Sequence, residues 1–593
     1  TVEQAESTIN GPYRAIINDI EAPLNADGAS DRYMADFRAK TLVLEPGARG
    51  QSSAPDDARL PLILLLGVTA LVLVIACVNI ANLLLARGAM RAGEMALRSA
   101  IGASRGQMVA QLLTEAVLLG LLGCLAGLPV AVATLGLIGA IMPAEAAAAL
   151  GIGLSGEAIL FAVVVSLVTV FLFGLFPALA ATRTPPGAVL KEQAGQQSGG
   201  RGMARFRRSL ATVQIAFSMV LLVLAGLFAQ SLANVARVDL GLQADPVATF
   251  TVSPVLSGYS PERSTALSRR VEEKLAALPG AVSVTSAMVP VVTGNNWGSS
   301  VSVQGFEAAP DADTNAQYNA VTPGFFRTLQ MPLLSGRDFT DADLAGRPRV
   351  AIVNETFAEK FGLGGEIVGK RMAVGSGDEL DIEIVGLAKD AKYSEVKDDV
   401  PPQFFLSRYQ EAELGFMTFY VRGRLAPDDM LTSISQVVAS LDPNLPVEDL
   451  ATLPDVIRDN TFLDRMIGML SAGFALLATL LAATGLYGVL SYSVAQRTRE
   501  LGVRQALGAT PYRLRVMVLR QVGWMALIGG AAGLVFAVML GRAAESVLFG
   551  LSGFEPSILA AAAASLGLVV LVAGYLPARR ASSVDPLEAL RYE

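Results

Sequence analysis

The sequence predicts a membrane-embedded all-α bundle built from two three- or four-helix modules, together with an α+β domain outside the bilayer. Three observations predict it: seven predominantly apolar stretches of spanning length, a Lys/Arg distribution that alternates from loop to loop, and a stretch at 234–465 whose pattern changes to short mixed segments. With 52% hydrophobic and 17% charged residues over 593 positions, the chain is too apolar for a soluble multidomain protein.

The apolar stretches lie near 61–86, 112–141, 157–181, 209–233, 466–493, 517–541 and 557–578. The second is long and carries Pro129, so it is expected to tilt, kink or leave the membrane before Pro143. Between Arg105 and Arg183 there is no basic residue, so the loop around 142–156, with Glu145, reads as external. The loops carrying Arg87, Arg91, Arg98 and Arg105, and Arg183, Lys191, Arg201, Arg205, Arg207 and Arg208, read as cytoplasmic. The second half repeats this, with Arg497, Arg499, Arg504, Arg513 and Arg515 after the fifth stretch and Arg579, Arg580 and Arg591 in the tail. Arg542 is the one misplaced charge, and at a helix end it can snorkel.

Residues 234–465 are then external. Val247–Val252, Ala281–Val289, Ser300–Gln304, Arg349–Val353, Asp381–Leu387 and Met417–Val421 read as strands, and Pro261–Leu278, Glu355–Phe361 and Pro427–Leu441 as helices. The expected organisation is 1–58, the closing part of a first external domain; 59–192, a first module of three spans; 193–233, a linker and a further span; 234–465, the external domain; and 466–593, a second module of three spans. The opening Thr-Val-Glu-Gln-Ala-Glu lacks the features of a signal peptide, and the expectation is a fragment or a processed chain.

Composition narrows the chemistry. There is no histidine, which removes the commonest metal ligand and general base together. Cys77 and Cys124 sit in apolar stretches as small hydrophobes rather than as a disulfide or metal pair. A net charge of −7 without a basic face gives no footprint for nucleic acid. Gly364-Gly-Glu-Ile-Val-Gly-Lys-Arg371 has P-loop spacing but ends in Arg where Ser or Thr must hold Mg²⁺, so it reads as a turn. Asp338, Asp341 and Asp343 lack the Gly and final Glu of a calcium loop. Asn79, Asn82, Gln214 and Gln230 lie within spans and read as interhelical hydrogen-bonding groups. The absence of mid-span acidic or basic residues argues against an ion-coupled transporter, Glu115 lying near a helix end. No cofactor and no catalytic residue is expected.

Self-comparison exposes a repeat. Glu94-Met-Ala-Leu-Arg98-Ser-Ala-Ile-Gly102-Ala-Ser104 matches Glu500-Leu-Gly-Val-Arg504-Gln-Ala-Leu-Gly508-Ala-Thr510, at an offset of 406 residues. Gly174-Leu-Phe-Pro-Ala178 matches Gly574-Tyr-Leu-Pro-Ala578, and Pro186…Leu190 matches Pro586…Leu590. In each copy the Glu and Arg are spaced i,i+4 on one helical face, with Met95, Leu97 and Ile101, or Leu501, Val503 and Leu507, supplying apolar surface. A short helix of this kind on the cytoplasmic surface is suited to dock into a groove on a soluble partner, although an interfacial anchor has the same pattern.

These segments resemble the FtsX-type permease domain, which in MacB-like exporters and the lipoprotein-releasing Lol permeases carries an E-x-x-x-R-x-A-[LI]-G-A-[ST] helix after its second span. The external region resembles the MacB-like extracytoplasmic domain through Val321-Thr-Pro-Gly-Phe-Phe-Arg-Thr-Leu, Leu334-Ser-Gly-Arg-Asp-Phe339, Val350-Ala-Ile-Val-Asn-Glu355 and Val368-Gly-Lys-Arg371. Two modules joined through Ala204-Arg-Phe-Arg-Arg-Ser-Leu are most similar to the duplicated orphan permeases of acidobacteria, which have eight spans, so the expectation is an N-terminal truncation. The resemblance implies a non-enzymatic permease subunit of the bacterial inner membrane. Glu94, Arg98, Gly102, Glu500, Arg504 and Gly508 would form its coupling helices to a separate cytoplasmic ABC ATPase. A periplasmic adaptor or outer-membrane partner is compatible with export. The alternative is a non-transporting regulator or scaffold that recruits extracytoplasmic partners such as cell-wall enzymes.

Overall fold

The computed structural model describes residues 1–24, 31–44, 54–90, 94, 97–98, 101–142, 153–182, 200–309, 312–375, 379–411, 416–496, 498–507 and 509–582. The chain divides into two compact units: Thr1–Ser53 with Arg237–Thr461, and Ala54–Ala236 with Phe462–Glu593. Pro186…Leu190, Pro586…Leu590, Glu145, Arg183, Lys191 and Arg591 lie outside the described residues.

The first unit opens with α1 (Val2–Ile16), α2 (Ala22–Leu24) and α3 (Asp31–Ala39). A capping box at Thr1 starts α1: its hydroxyl accepts from the Gln4 amide while the Gln4 side chain reaches back to the terminus.

The second unit begins with α4 (Ala54–Met90), α5 (Arg105–Ile141), α6 (Gly156–Thr182) and α7 (Gly200–Val235). Among the described residues, Leu62–Asn82, Arg105–Ala140 and Arg205–Val235 are long and apolar enough to cross a membrane, and α6 contributes a shorter apolar stretch, Gly156–Phe171. Helix α5 continues through Pro129 and starts seven residues before the apolar stretch that announces it. Hydropathy ends a span at the first polar residues, whereas the helix itself ends where Ser104 caps it. At about 1.5 Å per residue its 37 residues reach about 55 Å, well beyond the hydrocarbon core.

The external part of the first unit contains β1 (Val247–Val252), α8 (Pro261–Ala276), β2 (Ala281–Ala287), β3 (Gly298–Val303), β4 (Asn315–Val321), α9 (Phe325–Thr328), β5 (Leu333–Gly336), β6 (Arg349–Asn354), α10 (Glu355–Lys360), β7 (Arg371–Val374), β8 (Ile382–Ala388), β9 (Gln403–Ser407), β10 (Met417–Gly423), α11 (Pro427–Leu441), β11 (Glu448–Thr452) and α12 (Leu453–Asn460). The strands run in the order β11-β1-β10-β2-β4-β3-β7-β8-β6-β9, with β5 on β8 and a further β4–β9 pairing. That last pairing closes β4, β3, β7, β8, β6 and β9 into a ring, and β11-β1-β10-β2 extends from β4 as an open sheet. Helices α8 and α11 bury Val271, Leu275, Ile434 and Val438 against Phe250 and Phe419 of the open sheet. The ring encloses Val303, Ile382, Ile384, Phe404 and Leu406 with Phe357 and Phe361 from the α10 region.

Asp343 receives both terminal nitrogens of Arg337, at 2.8 and 2.9 Å, and the amide and hydroxyl of Thr340, so this carboxylate is committed to its own turn. Burial pushes the Asp343 carboxyl up, but Arg337 and Thr340 outweigh it and hold the group below its ordinary value. In the P-loop-like segment Lys370 Nζ donates to the Leu363 carbonyl at 2.6 Å, and β7 rather than a helix follows.

The second unit resumes with α13 (Phe462–Gln496), α14 (Thr498–Ala506), α15 (Pro511–Ala543) and α16 (Pro556–Ser582). Helix α7 lies against α13 and α15 and is the most buried of the spans. Its approach to α15 depends on small residues: a Cβ at Gly529 would sit 2.6 Å from the Thr212 carbonyl oxygen, and one at Gly533 2.5 Å from that of Ala216.

The repeat is visible as packing. The Cβ position of Gly174 on α6 faces Leu84 and Ala116, at 4.0 and 3.6 Å, whereas that of Gly574 on α16 faces Leu490 and Val522, at 3.7 and 3.3 Å. Leu490 and Val522 are Leu84 and Ala116 displaced by the same 406 residues that separate Glu94 from Glu500. The two three-helix modules therefore share an internal arrangement, not only a signature.

Candidate functional site: the paired surface helices

Glu94, Leu97 and Arg98 are helical, and Arg98 Nη2 meets Glu94 Oε1 at 2.6 Å, the pair that the i,i+4 spacing anticipates. The other terminal nitrogen, Nη1, donates to Gln111 Oε1 of α5 at 2.7 Å, so the guanidinium ties the surface segment to the next span. In the second copy Arg504 Nη1 lies 2.9 Å from Met517 Sδ of α15. Met517 is Gln111 displaced by 406, so the Arg reaches the same place in both modules. Glu500 is part of α14, but its side chain lies outside the described residues, as does Gly508.

Both segments end in the same way. The Ala103 amide donates to the Arg98 carbonyl at 3.0 Å, and the Ala509 amide to the Arg504 carbonyl at 2.9 Å. This 6→1 bond belongs to a Schellman-type stop, which places its penultimate residue in left-handed backbone; Gly102, at φ +105°, occupies that position. Ser104 and Thr510 then start the next helix, their hydroxyls accepting from the Gln107 and Arg513 amides. Gly102, which stops one helix, and Ser104, which starts the next, are two residues apart, which makes that corner tight.

One face of α14 is anchored: Leu501 packs with Leu514, Val518 and Ala578 in a small core. Ile101 is 79% exposed and its counterpart Leu507 83%, with Leu97 and Tyr512 also exposed. Each corner thus presents an exposed apolar residue, Ile101 or Leu507, beside an arginine that reaches the next span.

Sequence reasoning missed Gln111 and Met517, which lie 13 residues beyond their arginines on another helix; only the repeat offset could have paired them. It also missed the contacts at this end of the second module, where Arg580 Nη1 donates to Tyr487 Oη at 2.9 Å and Arg207 stacks 4.0 Å over Tyr492. Of the intramembrane amides, Asn79 and Gln214 bond across helices, whereas Gln230 donates to Asn234 of its own helix.

These features define a class: a multi-pass membrane protein with duplicated helical modules and a large extracytoplasmic α+β domain. A family model described as the MacB-like periplasmic core domain matches residues 209–451, and one described as the FtsX-like permease C-terminal matches residues 66–186 and 472–586. Among curated relatives, the uncharacterized ABC transporter permease YknZ of Bacillus subtilis is 24% identical over 298 residues, 48% of this chain and 72% of the relative. A probable export ATP-binding/permease protein of Pseudomonas fluorescens is 26% identical over 301 residues, covering 47% and 43%. The macrolide export ATP-binding/permease protein MacB of Shewanella oneidensis is 25% identical over 305 residues, covering 47% and 44%. The match thus spans less than half the length of these two ATP-binding/permease relatives. The solved periplasmic region of MacB from Actinobacillus actinomycetemcomitans aligns at 14% identity and TM-score 0.26, covering 38% of this chain and 95% of that one. The chain belongs to the MacB/FtsX-like family of ABC transporter permeases and is a multi-pass inner-membrane protein. Two of these relatives are named as combined ATP-binding/permease proteins.

Proposed function

We propose that this chain transmits ATP-driven motion from a separate cytoplasmic ATPase to its extracytoplasmic domain, in the service of export or extrusion. The observation that carries the reading is the repeated docking corner: the same Arg, the same 6→1 stop and the same exposed apolar tip at Ile101 and Leu507. Glu94, Arg98 and Gly102, with Glu500, Arg504 and Gly508, form the coupling segments, Arg98 and Arg504 linking each segment to the span that follows it. The modules are residues 59–192 and 466–593, with a linker and span at 193–233, the external domain at 234–465 and the close of a first external domain at 1–58. Energy comes from the partner, and the chain itself is not an enzyme. A periplasmic adaptor or an outer-membrane partner would complete an export path.

Ile101→Asp with Leu507→Asp tests the docking surface. Both side chains are exposed, so the fold is expected to survive while co-purification with the ATPase is lost. Undiminished association would place the ATPase elsewhere and leave a scaffold or regulator as the better reading.

A further inference from the structure

The offset that relates the modules gives each residue of α4 a counterpart on α13, and Asn79 corresponds to Gly485. The structure puts these two counterparts against each other. A Cβ on Gly485 would sit only 2.0 Å from Asn79 Oδ1, and it would also meet the Gln214 amide from α7 at 2.6 and 2.8 Å. A residue that touches its own counterpart lies on the axis relating the two copies, so this contact marks the pseudo-twofold axis of the helical unit.

At that point the modules have ceased to be alike. Asn79 and Gln214 are buried, and both donate to one carbonyl of α13: Asn79 Nδ2 to Leu481 O at 2.8 Å, and Gln214 Nε2 to the same oxygen at 2.6 Å. Their own oxygens accept no conventional hydrogen bond among the described residues. They converge on the hydrogen that glycine carries where other residues have Cβ, a Cα–H···O arrangement that only glycine permits at this separation. Ser218 adds a bond to Ala478 O at 3.3 Å nearby on α13.

We propose that Asn79, Gln214 and Gly485 form a knob-and-hole lock that pairs the two modules of one chain with each other and rejects the like module of a second chain. Bringing two first modules together about this axis would set Asn79 against Asn79, two amides in the space of one. Bringing two second modules together would set glycine against glycine, leaving a void and a Leu481 carbonyl without the Asn79 donor. Only the unlike pair fills the site and satisfies the donors. The lock therefore specifies an unlike pair of modules, which in this structure are the two modules of one chain, and it does so whichever ATPase, if any, binds them.

The test uses full-length protein in detergent or nanodiscs, co-expressed with two different tags. Wild type is expected to show no co-capture of one tag with the other. Gly485→Ala forces a methyl group into both amides and should lower the thermal midpoint and the monomer fraction. Adding Asn79→Ala and Gln214→Ala to Gly485→Ala clears the space and should recover much of that loss, which a variant that had simply failed to fold for another reason would not do. Gly485→Ala behaving as wild type, no recovery in the triple variant, or strong co-capture of wild-type chains through α4 would each overturn the proposal.

Discussion

Arg422 offers a test of how the external domain holds the segment through which the chain enters it. Its guanidinium is buried on β10 and donates to three backbone carbonyls: Nε to Thr328 at 2.6 Å, Nη1 to Asp245 at 2.6 Å and Nη2 to Gln243 at 2.5 Å. Burial lowers the Arg422 pKa, and the fork remains a cation that binds 243–245 to the end of α9. Arg422→Leu removes all three bonds and strands acceptors in a largely dehydrated site. At about 1–3 kcal/mol for each buried unmet group, discounted for the partial exposure of two of them, the loss is about 3–5 kcal/mol. At about 2–4 °C per kcal/mol for a domain of this size, the unfolding midpoint should fall by about 10 °C. Arg422→Lys should recover only part, because one ammonium cannot aim along three directions. Hydrogen exchange gives a local readout, since the Gln243 amide donates to Leu329 O at 2.8 Å and should lose protection first. An Arg422→Leu protein with wild-type midpoint and wild-type protection at Gln243 would refute the strut.

Glu272 accepts from the hydroxyls of Ser286, Thr322 and Tyr409, yet burial dominates and raises its pKa. The folded domain therefore holds this proton to higher pH than the unfolded chain. Its contribution to stability is complete below the unfolded glutamate value and is lost as pH rises through the raised one. Glu272→Gln, fixed in the neutral form, should flatten the fall in thermal midpoint across that window; an unchanged pH profile would show that Glu272 does not titrate there. In the paired modules, Gly574→Ala should destabilise slightly, because its methyl would lie 3.3 Å from Val522, whereas Gly174→Ala, with 3.6 Å to Ala116, should be close to neutral. Equal effects in thermal unfolding would contradict the packing described for the two sites.

The membrane helices were legible because bilayer burial imposes an unbroken apolar stretch, and the repeat was legible because Glu94 and Glu500 lead matching segments. Helix ends were less so: Ser104 and Thr510 fix the starts of α5 and α15 inside polar sequence, where hydropathy is silent. In the external domain β1 and α11 were read to the residue, since alternation and a Pro start mark them. Strand β4, Asn315-Ala-Gln-Tyr-Asn-Ala-Val, is polar and poor in β-branched residues, and it becomes a strand only between β3 and β9. Strand β9 is buried on every residue and so shows no alternation to read. The repeated surface corner was visible as Glu, Arg and Gly, but the Gln111 and Met517 contacts depend on tertiary structure. The Asn79–Gly485 contact was hidden because its meaning requires knowing that counterparts meet.

The central claim is tested most directly by ATP hydrolysis in a complex of the full-length permease with its ATPase, comparing wild type with Glu94→Lys/Glu500→Lys. The Glu94–Arg98 pair is exposed at both partners, so its loss should cost the fold only about 0.3–0.5 kcal/mol, too little to explain a large functional change. Permease-dependent stimulation of hydrolysis that the double reversal abolishes, with folding intact, is the predicted result. Stimulation that persists undiminished in the reversed protein would contradict the coupling role of these segments.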